Sequence, residues 1–403
     1  MNLLIIIFVF LFVLSLTDFF PLTQKSHKIL YETAFFATFF LFGIKYYYGG
    51  DIFHYVPLYD GIESPLKVLL QESKFADNWE FGFLLFCSIC KFLGLSFWLM
   101  TLIITIFYFY VIHKLFEKIP SKKIFALFFL VILDYNLIFA AYRQCLSVSC
   151  FILMIYAFTE YKYLKCLIFF ILTSLLHKSG FYISVISISF LFFTNIKLDK
   201  RIYYILFILL LFMLILPFME YFTEFIKKFN LSESAYQSIK HHLLLGKKFQ
   251  TIIGIYLLLI IIVAYHHKIN FENKKIEWFI FASILMLIVL YQQYYILNRI
   301  RSYFIPILIV YVFNLSYDKI RMPNTLILRQ IFVILIYIYS LNSIRAKYID
   351  FNITLVKSGI YNSSTIFDRI KKSEAEIKKE QMRKAKIYWE EEFMENDTNY
   401  IKK

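Results

Sequence analysis

Long apolar runs recur along the chain, each closed by Lys, Pro, Gly or Asn, and most have the length a helix needs to cross hydrocarbon. They predict about twelve transmembrane helices, near 2–16, 29–48, 95–113, 124–141, 144–159, 164–178, 180–194, 202–219, 250–266, 276–296, 302–317 and 326–343. The expected fold is all-α, a polytopic integral membrane protein. The run from Glu80 to Gly94 is short for a span and predicts a re-entrant or interfacial helix near 80–94. The polar insertion at 220–249 carries Phe225, Phe229, Tyr236, Ile239 and Leu243, a pattern that predicts an amphipathic helix on the outer surface. Two regions result, a membrane domain over 1–345 and a charged tail over 346–403. The tail reads as helical, with i,i+4 pairs such as Glu374–Lys378.

Composition agrees with this picture, because 60% of the residues are hydrophobic. The formal charge of +15 would suit nucleic acid, but the excess Lys and Arg sits in short loops between spans, where it orients the chain. Basic loops at 25–28, 114–123, 162–165, 197–201, 266–275 and 319–329 share one side if the N-terminus is outside, and that side is the cytoplasm. Residues 51–80, Arg143, His177, Arg299 and the 220–249 loop then face outward. An even number of crossings puts the tail outside as well, though one more or one fewer near 326–343 would reverse it. Residues 2–16 read as an uncleaved first span, since no basic n-region or small-residue cleavage site accompanies them. Five cysteines lie in or beside apolar runs, and the Cys87–Cys90 spacing has no second pair to complete a metal site. No Walker A or GxGxxG sequence appears, so neither ATP-driven transport by this chain nor a cofactor is expected.

Polar residues at span ends are the informative exceptions, because an ionisable group in or near hydrocarbon needs a partner or a ligand. Gly49-Gly50-Asp51 closes the second run, Glu80 opens the short helix, and Arg143-Gln144 interrupts the stretch from Ile124 to Tyr161. His177-Lys178-Ser179 makes a tight turn, and Asn298-Arg299-Ile300-Arg301 with Tyr303 lies between two expected spans. If the helix persists, Asn136, Ala140, Arg143 and Ser147 share one small polar face; Gln292, Tyr295, Arg299 and Tyr303 share another. A guanidinium fork grips phosphate oxygens in pairs, so Arg143 suits a pyrophosphate, and Arg299 with Arg301 suits a second anion clamp beside the alternative of a basic anchor. Asp51, Glu80 or His177 suits proton transfer from a hydroxyl. Structural readings stand beside these: a solvated Asp51, a helix-dipole partner in Glu80, a snorkelling Arg143 and a turn-forming His177.

In order along the chain these pieces resemble the EpsG-type, Wzy-like family of bacterial polysaccharide polymerases. The family's R-x-x-x-G-[ST]-D-x-x-x-Y turn is similar to Lys45-Tyr-Tyr-Tyr-Gly49-Gly50-Asp51-Ile-Phe-His-Tyr55. Its E-x-G-[FY] start resembles Glu80-Phe81-Gly82-Phe83, its R-Q pair Arg143-Gln144, and its H-x-S turn His177-Lys178-Ser179. A late R-x-x-x-Y-F element resembles Arg299-Ile-Arg-Ser-Tyr303-Phe304. Lys45 in place of Arg loses the bidentate fork, and Gly50 in place of Ser or Thr loses a hydroxyl.

The resemblance implies a metal-independent membrane glycosyltransferase at the outer face of the bacterial cytoplasmic membrane. It would join oligosaccharide repeats carried on undecaprenyl pyrophosphate into capsular, O-antigen or exopolysaccharide chains. Catalytic residues would be Asp51, Glu80 and His177; substrate-binding residues would be Lys45, Arg143, Gln144, Arg299, Arg301 and Tyr303. Partners would be the lipid-linked oligosaccharide, membrane lipid and, left open, a chain-length regulator protein, with no nucleic acid. Two other classes compete: a flippase or exporter of lipid-linked sugars, and a membrane acyltransferase that decorates the glycan.

Overall fold

A computed structural model of the chain describes residues 3–46, 52–76, 79–119, 122–139, 141–192 and 294–315, with positions 205, 208, 279, 283, 286, 364–365, 373, 375–377 and 379. The chain divides into two compact units. One comprises Met1–Ser149, Leu175–His177 and Val333–Lys403; the other comprises Cys150–Ser174 and Lys178–Phe332.

Helices α1 (Leu3–Leu16), α2 (Gln24–Gly43), α3 (Ile52–Gly61), α4 (Pro65–Leu69), α5 (Phe81–Phe92), α6 (Phe97–Phe116) and α7 (Lys123–Phe139) belong to the first unit. Hydroxyls start two of them: Thr23 Oγ1 accepts from the Ser26 amide at 3.2 Å, and Ser96 Oγ from the Leu99 amide at 3.3 Å. Helix α7 is the axis of the unit. Every side chain from Ile124 to Leu133 is buried, as expected of a helix apolar all round, and α1 and α2 pack against it. Its start is held by Asp18, whose Oδ2 accepts from the Phe125 amide at 2.9 Å and places a carboxylate at the positive end of the helix dipole.

Helices α8 (Tyr142–Thr159), α9 (Tyr163–Leu176), α10 (Lys178–Phe192) and α11 (Tyr294–Leu315) follow. On α9 the residues Leu164, Leu167, Ile168, Ile171, Leu172 and Leu175 are all exposed. Their i, i+3, i+4, i+7, i+8, i+11 spacing makes a continuous apolar stripe, which fits hydrocarbon and not water. Helices α6, of 20 residues, and α8, of 18, are each long and apolar enough to cross a bilayer. The chain is thus a helical membrane protein, and α1, α2 and α6 to α10 fall on seven of the expected runs. Expected spans at 202–219, 250–266 and 326–343, the loop helix at 220–249 and most of 276–296 and of the tail lie outside the described residues.

Three local features differ from the expectations or add to them. The 80–94 segment contains α5, whose 12 residues reach about 18 Å, too short to cross. It is pinned beside α3 and α4 by Lys91 Nζ, which donates to the Asp60 and Ile62 carbonyls at 2.7 and 3.0 Å. Second, the chain does not turn at Asn298–Arg301: α11 runs unbroken from Tyr294 to Leu315, with Pro306 inside it. Asn and Arg are tolerated in a helix interior, so polarity alone was a poor breaker signal. Third, Lys45–Tyr46 (β1) pairs antiparallel with Ser364–Thr365 (β2), Lys45 opposite Thr365 and Tyr46 opposite Ser364.

Candidate active site

Glu80 occupies the N-cap position of α5 with extended backbone (φ −68°, ψ 134°), and its carbonyl accepts from the Phe83 and Leu84 amides at 3.1 and 3.0 Å. An acidic N-cap ordinarily turns its carboxylate onto the first amides of its own helix. Here the side chain makes no such cap. It reaches instead to Arg143, 63 residues away, whose Nη1 donates to Glu80 Oε2 at 2.5 Å.

Arg143 is the second residue of α8, so its side chain leaves the first turn of that helix. The α7 and α8 helices are separate, with Ala141 between them, so the single polar face expected from Asn136 through Ser147 is interrupted there. Arg143 Nε donates to Tyr55 Oη at 3.3 Å, and the guanidinium carbon lies 4.4 Å from the centroid of the Trp79 ring. A cation over an indole face gains about 0.5–2 kcal/mol. Tyr55 and Trp79 also touch each other, ring centroids 5.3 Å apart. The Arg143 side chain keeps 25% of its exposure and Glu80 only 9%, so the pair is sheltered yet open on the arginine side. Burial alone would push the Glu80 carboxyl upward; the Arg143 charge, with help from His177, outweighs it and holds the carboxyl below its ordinary value.

His177 is 7% exposed and lies within electrostatic reach of Glu80. Gly82 explains how this turn comes so near. A Cβ built on Gly82 would sit 2.8 Å from the C, O and Cβ atoms of Leu175, a contact with backbone that has no room to yield. The missing side chain lets the first turn of α5 rest on the 175–177 segment, bringing the E-x-G start and the H-x-S turn together. Gly82→Ala should therefore destabilise the protein by about 1–3 kcal/mol through overpacking, read as a lower Tm in detergent. An unchanged Tm would show that the close approach is dispensable.

The other expected residues are placed as follows. Asp51 lies outside the described residues. Lys45 and Gln144 are buried, at 2% and 7% exposure. In the second unit, Arg299 is exposed on α11, Arg301 is 8% exposed and Tyr303 is fully buried. The Tyr303 hydroxyl lies 3.2 Å from Ser179 Oγ, which ties the last element to the end of the H-x-S turn. Among the described residues no cluster of three or more His, Cys, Asp or Glu side chains is placed to hold a metal ion. The arginine cradle made by Tyr55 and Trp79 was not read from the sequence. An indole next to Glu80 was the available signal.

One sheltered centre thus holds a forked cation, a carboxylate and two aromatic faces, with the His177 imidazole in electrostatic reach of the carboxylate. It offers an anion grip, a proton acceptor and a stacking surface within a few ångströms. No curated protein and no solved structure matches the chain. A family model does: the EpsG family model covers residues 28–356, most of the sequence, and its members are Wzy-like polysaccharide polymerases. With Glu80, Gly82, Arg143 and His177 gathered as described, the chain belongs to the EpsG family.

Proposed function

We propose that this protein is the polymerase that joins lipid-linked oligosaccharide repeats into a surface polysaccharide at the outer face of the cytoplasmic membrane. The donor would be a repeat unit on undecaprenyl pyrophosphate, and the acceptor hydroxyl would belong to a second repeat. The observation that carries the reading is Arg143, held by Glu80, Tyr55 and Trp79 and still a quarter exposed.

The chemistry follows from an exchange of partners at that arginine. A pyrophosphate oxygen competes with Glu80 for the guanidinium, which prefers forked contact with phosphate. Glu80, released from its counter-charge and facing a new anion, becomes more basic. Its carboxylate takes the proton of the acceptor hydroxyl as that oxygen bonds to the anomeric carbon of the donor sugar. The bond from that carbon to the pyrophosphate oxygen breaks, and undecaprenyl pyrophosphate leaves with its new charge against Arg143. Trp79 supplies an apolar face for a sugar ring, and His177 orients Glu80 or relays its proton. Arg299, Arg301 and Tyr303 are further substrate-binding residues, and Asp51 serves the acceptor. A separate chain-length regulator would set where growth stops.

The experiment is a gel of surface polysaccharide from a strain lacking the gene. The polymer ladder should vanish while single repeats are still made and displayed on the surface. Single repeats trapped inside would make the protein an exporter. A ladder of unchanged length lacking acyl groups would make it an acyltransferase.

A further inference from the structure

We infer that Asp134 and Lys45 form a coupled pair of buried charges that fixes the α7–α8 junction and thereby aims Arg143. The inference rests on the polymerase reading for its activity readout only. Asp134 is the one charged residue in the apolar sequence from Ile124 to Phe139, and it is 2% exposed. An acid at such a position must be neutralised from inside the protein. Helix α7 breaks at this residue: Asp134 has φ −120° and ψ 18°, so α7 is two helical pieces joined there. Such a break redirects the last turn and frees its carbonyls.

Lys45 meets that last turn. Its ammonium donates to the carbonyl of Ile138, one turn beyond Asp134. A cation at a helix C-terminus also complements the dipole. The same ammonium lies 4.6 Å from the ring centroid of Tyr142, the residue before Arg143. Tyr142 is fully buried and packs edge-on against Tyr55, centroids 5.2 Å apart, and Tyr55 is the arginine's own acceptor. Helix α8 adds Cys145, whose thiol lies in the field of both Lys45 and Asp134, and α6 adds the buried Tyr108, which also feels Asp134.

These contacts make Lys45 a strut rather than a substrate ligand. It bridges the end of α7 and the start of α8, while its backbone is held by Thr365. Asp134 is a positioning residue of the same kind. It shapes the turn that Lys45 grips and offers the opposing charge without touching the reacting atoms.

A double-mutant cycle in the full-length protein tests this, with Asp134→Asn, Lys45→Met and the double variant Lys45→Met/Asp134→Asn. Two quantities are measured: Tm in detergent, and the half-saturating concentration of lipid-linked single repeats for chain growth in isolated membranes. Each single variant strands one buried charge, so each should lower Tm and raise the half-saturating concentration about tenfold or more. The double variant removes both charges and should return both quantities to within about threefold or a few degrees of wild type. Asp134→Glu should rescue relative to Asp134→Asn. Independent effects in both readouts would overturn the pair. Coupling in Tm without coupling in the half-saturating concentration would overturn the positioning role. If the wild-type membranes extend no chains, the polymerase reading fails, and the Tm cycle still decides whether the charges are coupled.

Discussion

Arg143→Lys should abolish chain extension while the protein accumulates in the membrane at normal level. Lysine keeps the positive charge, so a role as a simple membrane anchor would survive the change. It cannot, however, reproduce what this arginine does. Arg143 donates through Nε to Tyr55, donates through Nη1 to Glu80 and lays its plane against Trp79, three contacts that need a flat fork. An ammonium can satisfy one of them at a time, and it grips a pyrophosphate at a point and not in pairs. Loss of a group that stabilises developing negative charge lowers turnover about 100- to 1000-fold. On a gel of surface polysaccharide that is the disappearance of the ladder. A ladder near wild-type intensity would remove Arg143 from the reaction.

Glu80→Gln should lower turnover about 100- to 10,000-fold, the range for a lost general base, with little rise in the half-saturating concentration of substrate. Gln is nearly the same shape and still accepts a hydrogen bond, but it cannot take a proton. Removing the carboxylate also frees Arg143 for phosphate, so binding should hold or tighten while turnover falls. That split separates a base from a mere counter-ion, whose loss would weaken binding and stability together. Stability gives a second check with a definite sign. The folded carboxyl titrates below its ordinary value, so the pair's contribution is complete at neutral pH and is lost only as pH falls through that lowered value. The Tm difference between wild type and Glu80→Gln should therefore be flat from about pH 7 to about pH 5 and shrink in stronger acid. A difference that closes near neutral pH would contradict the direction of the shift.

Much of the helical framework was legible in the sequence because hydrocarbon imposes a local rule. A run of apolar residues long enough to span must be a helix, and α6, α7 and α8 lie where their runs predicted. Glu80, Gly82, Arg143 and His177 could be singled out one by one, since a polar residue or a glycine at a span end is visible in a short window. Their convergence was not visible. The Arg143–Glu80 and Arg143–Tyr55 bonds join positions 63 and 88 residues apart, and no periodicity encodes such a distance. Lys45 shows the same limit from the other side. Its place before the glycine turn gave no sign that its ammonium lies inward, against the end of α7. Asp134 was readable, being a single acid in an apolar run, yet its hydrophobic surroundings hid it among core positions. The unbroken α11 and the pairing of Lys45–Tyr46 with Ser364–Thr365 depend on backbone geometry that residue polarity does not report.

The most direct test of a polymerase centred on Arg143 uses the substrate that accumulates when the gene is deleted. Lipid-linked single repeats extracted from that strain would be mixed with membranes containing either the wild-type protein or Arg143→Lys. Chain length and released lipid pyrophosphate would be followed together. Wild-type membranes should build a ladder and release one lipid pyrophosphate for each bond made, while Arg143→Lys membranes should do neither. Equal chain growth by the two membranes, or growth without release of lipid pyrophosphate, would contradict the assignment.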